Sequence, residues 1–133
     1  MTKQVVSNWY NKLSNAERNL PLLIYQGNVY TPQVAYDEVM RSSPLGDALQ
    51  SLIEKQSFGT SAQDEETVAK LRLTQIMRMK PNPDKVYLVA LTNIGPKTFT
   101  PSQMIEEIQN ETDIAKQWIT NEKSHMKMLV SIR

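Results

Sequence analysis

Cysteine is absent from the 133 residues and histidine occurs once. The first absence excludes disulfides, thiolate zinc sites and cysteine nucleophiles. The second excludes a histidine-rich metal cluster. Neither sign of charge dominates: fifteen lysines and arginines stand against fourteen acids, a net charge of +1. No global field therefore draws the chain to nucleic acid or lipid. Long apolar runs are missing too. Leu20–Tyr25, interrupted by Pro21, and Val86–Leu91 fall far short of the ~20 residues of a membrane helix. Met1–Asn8 has no signal-peptide core, so the expectation is a cytoplasmic protein without membrane contact. The four glycines lie apart, which leaves neither a phosphate loop nor a dinucleotide fingerprint, and there is no Gly-x-Ser-x-Gly elbow.

What is present is ordinary globular composition, 40% hydrophobic and 22% charged. A single domain of this length buries about two-thirds of its unfolded surface and needs no staple. Val5, Val6, Trp9, Tyr10 and Leu13 recur with helical period, and Ser14–Glu17 has capping-box spacing. Leu20–Tyr25 reads as a strand, Gln26–Asn28 as a turn and Val29-Tyr30 as a return strand. Thr31-Pro32 and Ser43-Pro44 each set a side-chain cap before a proline whose missing N–H is not needed. They predict one helix from Pro32 to about Arg41 and another carrying Leu45, Leu49, Leu52 and Ile53, a helix-turn-helix in plain geometry.

Ser57–Gln63 is a polar connection and a candidate boundary. The helix that follows opens on Asp64, Glu65 and Glu66 and closes on Arg78 and Lys80, as the helix dipole favours. Its apolar stripe reads Val68, Leu71, Ile76 and Met79. Val86–Leu91 is continuous enough for a buried strand. A shift of 69 residues lays Tyr30-Thr31-Pro32 on Phe99-Thr100-Pro101, Ser43 on Thr112 and Leu49 on Trp118. The expected fold is a mostly helical α+β module with a small β-sheet. Its order suggests a tandem duplication of a helix–hairpin–helix-turn-helix unit, with halves 1–60 and 61–133 packed as one compact unit.

Each candidate for chemistry has a plainer reading. Asp37-Glu38 and Glu106-Glu107 occupy matching positions, but adjacent helical residues diverge by about 100°. A solvated face, with Glu38 near Arg41, accounts for them better than metal ligation. Glu122 and His125 share a helix face, yet no second histidine completes a site. Nothing therefore points to catalysis, a cofactor or a small-molecule ligand.

Two interaction classes remain. Lys70, Arg72, Arg78, Lys80 and Lys85 form a basic cluster beside Tyr87, the ingredients for nucleic-acid contact by phosphate pairing and stacking. The helices placed to enter a groove carry few basic groups, which disfavours that alternative. The favoured expectation is a non-catalytic adaptor or assembly subunit that binds a protein partner or its own copy. Met40, Phe58, Met77 and the C-terminal methionines look exposed, and methionine suits adaptable surfaces. Met126, Met128, Val130 and Ile132 alternate with other residues in strand period, or else spread around a continued helix. Either way they are the candidate interaction residues.

Overall fold

A computed structural model describes residues 3–131. Its elements run α1 (Lys3–Asn11), α2 (Asn15–Arg18), β1 (Leu23–Tyr25), β2 (Asn28–Tyr30), α3 (Pro32–Met40), α4 (Pro44–Glu54), α5 (Ala62–Arg78), β3 (Leu88–Thr92), β4 (Gly95–Phe99), α6 (Pro101–Gln109) and α7 (Asp113–Leu129). The chain is mostly helical α+β, with two separate antiparallel hairpins, β1–β2 and β3–β4. None of its helices is long and apolar enough to cross a membrane among the described residues.

Local chemistry sets the helix starts. Thr31 Oγ1 accepts from Val34 N at 3.3 Å, Ser43 Oγ from Gly46 N at 2.9 Å, and Ser61 Oγ from Asp64 N at 3.2 Å. Thr100 and Gln103 form a reciprocal capping box. Between α3 and α4 the chain reverses through Ser42 at φ 58°, and between α6 and α7 through Glu111 at φ 51°. Both are left-handed residues without glycine's freedom. Ser43 N and Thr112 N then each reach back 3.3 Å to the carbonyls of Glu38 and Glu107. The α3–α4 turn is the tighter of the two. A Cβ on Gly46 would lie 2.2 Å from the Glu38 carbonyl oxygen, whereas Ala115 stands at the matching place in α7.

The hairpins enter their helices alike. Leu22 N donates to Tyr30 O at 3.0 Å, and Tyr87 N donates to Phe99 O at 2.9 Å. Tyr30 and Phe99 stand 69 residues apart, but their cross-strand partners Leu23 and Leu88 stand 65 apart. The gapless alignment therefore fails across the first strand. β3 and β4 have five residues each where β1 and β2 have three, so the second hairpin is the longer. The likeness of the halves is one of caps, turns and hairpin entry.

The main core ignores the boundary between the halves. It joins Val6, Trp9, Leu23, Ala35, Val39, Leu49 and Ile53 to Val68, Ala69, Ile119, Met126 and Val130. The polar connection is stitched into it: Phe58 is 3% exposed and its carbonyl accepts from Ile24 N at 2.6 Å. A smaller cluster gathers Met77, Phe99 and Met104 with Trp118 alongside, the Phe99 and Trp118 rings meeting edge to face.

Several sequence expectations are corrected. Phe58 and Met77 are buried, not exposed. The buried stripe of α5 is Val68, Ala69, Arg72 and Met77, while Leu71 and Met79 face outward. Val86–Leu91 is not a buried strand, because a two-stranded hairpin has helices on one face only. The C-terminal segment is helix to Leu129, so Met126 and Val130, one turn apart, point into the core. Trp9 Nε1 donates to Leu129 O at 2.7 Å and fixes that end.

Two substitutions read this geometry. Ser42→Gly relieves a left-handed residue and should raise the unfolding free energy in urea by about 0.5–1 kcal/mol once glycine's added chain entropy is deducted. Gly46→Ala pushes a methyl into backbone and should lower it by about 1–3 kcal/mol.

Candidate functional site

Arg72 belongs to the basic cluster named for the nucleic-acid alternative. Its side chain is fully buried. Nε donates to Glu122 Oε2 at 2.7 Å, Nη2 to Glu17 Oε2 at 2.5 Å and Nη1 to Pro21 O at 3.0 Å. One guanidinium thus ties α2, the approach to β1, and α7 to α5. The placement follows helical phase: Arg72 stands four residues after Val68 and four before Ile76, on the inward stripe. Glu122 holds the same position in α7, where Ala115, Ile119, Glu122 and Met126 form the buried row. That shared phase was the signal available in the sequence.

The rest of the basic cluster disperses. Lys70 pairs with Glu111 in the α6–α7 turn, and this hydrogen bond, then the Lys70 charge, holds the Glu111 carboxyl below the usual carboxylate range. Arg78 and Lys85 are exposed. Lys80 Nζ lies 4.5 Å from the centre of the Tyr87 ring, so helix end and strand start do meet there.

The carboxylate pairs serve the scaffold. Glu38 accepts from Ser43 Oγ at 2.9 Å and pairs with Arg41 at 2.8 Å, closing the α3–α4 turn. Asp37 accepts from Gln33, and Glu106 is exposed. His125 is a half-exposed neighbour of Glu17, with 3.5 Å between Nε2 and Oε1. No group of three or more potential metal ligands occurs among the described residues.

The C-terminal candidates separate. Met126 and Val130 are 0% exposed and Met128 is 74% exposed, while Ile132 lies outside the described residues. Met126 and Val130 are therefore core residues and not interaction residues.

The apolar surface lies elsewhere, on the second hairpin. Val86, Tyr87, Val89, Leu91 and Ile94 are 52, 49, 60, 86 and 95% exposed. Val89 and Leu91 alternate with the half-buried Leu88 and Ala90, so they share the outer face of β3. Their neighbours across the ladder are Thr98 and Pro96. Lys80, Asp84 and Lys85 precede this hairpin and Lys97 lies on β4, while Asp113 of α7 lies by Leu91 and Asn93. Sequence reasoning missed the surface because an uninterrupted apolar run reads as burial on both faces.

Removing Arg72 should leave two carboxylates without their counter-ion. Arg72→Met is expected to cost about 3–5 kcal/mol in denaturant unfolding. Adding Glu17→Gln and Glu122→Leu should recover most of that loss. The Glu111 shift has an acid-side signature, because a depressed carboxyl stabilises the fold above its unfolded value. That contribution is lost as pH falls through the folded value. Lys70→Met should therefore lower stability at neutral pH and make no difference at the acid end, read from unfolding midpoints across the range.

Comparison with protein-family models, with curated proteins and with solved structures finds no match to this chain.

Proposed function

We propose that this chain is a non-catalytic protein-interaction module, an adaptor or assembly subunit, which binds another polypeptide through the outer face of the β3–β4 hairpin. The observation that carries the reading is the run of exposed aliphatic and aromatic side chains from Val86 to Ile94 on one projecting element. Single exposed apolar residues are normal on a protein surface, whereas a contiguous group marks a contact. Leu91 and Ile94 are almost fully exposed, so a partner reaches them without rearranging the core.

A polypeptide suits this surface better than lipid or nucleic acid. The free edge of a strand needs hydrogen-bond partners, and hydrocarbon supplies none. Tyr87 offers one ring for a base to stack on, but Leu91 and Ile94 offer none, and Arg72 is held inside by carboxylates.

Photocrosslinking residues at Leu91 and Ile94, with Met128 as an exposed control, test the reading in cells. Discrete adducts at the hairpin positions and none at Met128 are expected. The recovered partner, once purified, should bind Val89→Asp/Leu91→Asp at least about tenfold more weakly, as loss of a central contact entails. The melting temperature of that variant should be unchanged. Equal labelling at Met128, or unaltered affinity, would sink the proposal.

A further inference from the structure

The two hairpins differ in what lies along their first strands. In the first, Ile24 follows Leu23, the residue paired with Tyr30, and Ile24 N donates outward to Phe58 O at 2.6 Å. The chain between α4 and α5 thus runs beside β1 and covers its edge, with the Phe58 side chain buried in the core. In the second, Val89 follows Leu88, the residue paired with Phe99. It is the counterpart of Ile24, counted from the shared hairpin entry. The sheet order is β3–β4 alone, and no backbone outside the hairpin bonds to Val89 among the described residues.

The uncovered edge also lacks the usual protection. From Val86 to Thr92 there is no charge and no proline, the devices that normally keep a strand from pairing. β4, by contrast, carries Pro96 and Lys97 and leads into α6. Beside Tyr87, just before β3, opens a cleft of about 300 Å³ walled mainly by Ile76, Met77, Met104 and Trp118, with Asn121 and Glu122 also lining it. It gives a bulky apolar side chain somewhere to go, as the core does for Phe58.

We infer that β3 binds an extended segment of a partner protein by strand addition, the segment accepting the Val89 N–H, presenting one bulky apolar side chain and carrying an acidic flank toward Lys80 and Lys85. The inference rests on the hairpin-face reading above and specifies its partner. The extended form follows from the open edge and from the covering segment that the chain itself uses at Ile24. The acidic flank follows from Lys80 and Lys85 at the Tyr87 end of β3, since Asp113 of α7 lies by Leu91 and Asn93 at the other end.

The probe is an acetylated peptide, Glu-Glu-Gln-Ser-Phe-Gly-Thr-Glu-Glu, titrated into the full-length, isotope-labelled chain and followed by amide chemical shifts. The Val89 and Leu91 amides should move most and become protected from exchange. An alkene isostere of the Phe-Gly bond deletes the accepting carbonyl and should bind at least about tenfold more weakly, the equivalent of one good hydrogen bond. Lysine flanks should weaken binding about as much at low salt, with the difference closing at 1 M salt. Equal binding of the alkene peptide, shifts away from β3, no binding at all, or a dimer that hides the Val89 amide would each overturn strand addition. Crosslinking at Leu91 retained beside any of these leaves the hairpin-face reading standing, and its loss removes both.

Discussion

A guanidinium taken out of water is tolerable only when its donors are met and its charge is answered, and Arg72 meets both conditions with groups from three parts of the chain. Glu17 arrives on a single helical turn, Pro21 O on the approach to β1, and Glu122 on α7. None of the three positions can shift without stranding a buried charge. Apolar contacts alone would let α5 and α7 slide by a fraction of a turn, since neighbouring aliphatic side chains exchange at small cost. The ion network removes that freedom, and with it fixed, Ile119, Met126 and Val130 fall into the main core beside Val6 and Trp9.

That arrangement leaves the two hairpins in different circumstances. β1 lies between α4, α5 and the Phe58 connection, with its edge occupied. β3–β4 rests on the smaller cluster of Met77, Phe99 and Met104, and its longer strands carry Leu91 and Ile94 beyond it. The same entry geometry, with Tyr30 and Phe99 accepting equivalent hydrogen bonds, thus ends in a covered strand in one case and a bare one in the other. The covering segment is a connection between helices, and among the described residues no such segment pairs with β3. The difference in exposure is one of chain routing.

A rigid scaffold that holds out an apolar strand suits recognition by backbone pairing. In such pairing, hydrogen bonds to a strand edge supply affinity with little demand on sequence, and side chains beside the edge supply selection. The stability of the presenting element comes from the helices behind it, since an isolated two-stranded hairpin is marginal in water. Capping by Thr100 and Gln103 and the Phe99–Trp118 contact anchor the base of β4, so the tip can stay exposed while the hairpin keeps its place.

Much of the local structure was legible in the sequence. Thr31-Pro32, Ser43-Pro44 and Thr100-Pro101 determine where helices begin, because a side-chain cap and a proline at the first position act within a few residues. The hairpins and the mostly helical α+β class followed from period and turn chemistry for the same reason. Burial was a different matter. Arg72 and Glu122 each interrupt an apolar stripe and look like solvent-facing charges until the two helices meet, and only their encounter neutralises them inside. Met126 and Val130 read as a docking edge because a single helix does not reveal which face has a neighbour. Val89 and Leu91 read as core because a strand does not reveal whether anything lies over it. Hydrogen bonds between near residues are fixed by the order of the chain. The partner across a core, or its absence, is fixed only when distant segments take their places.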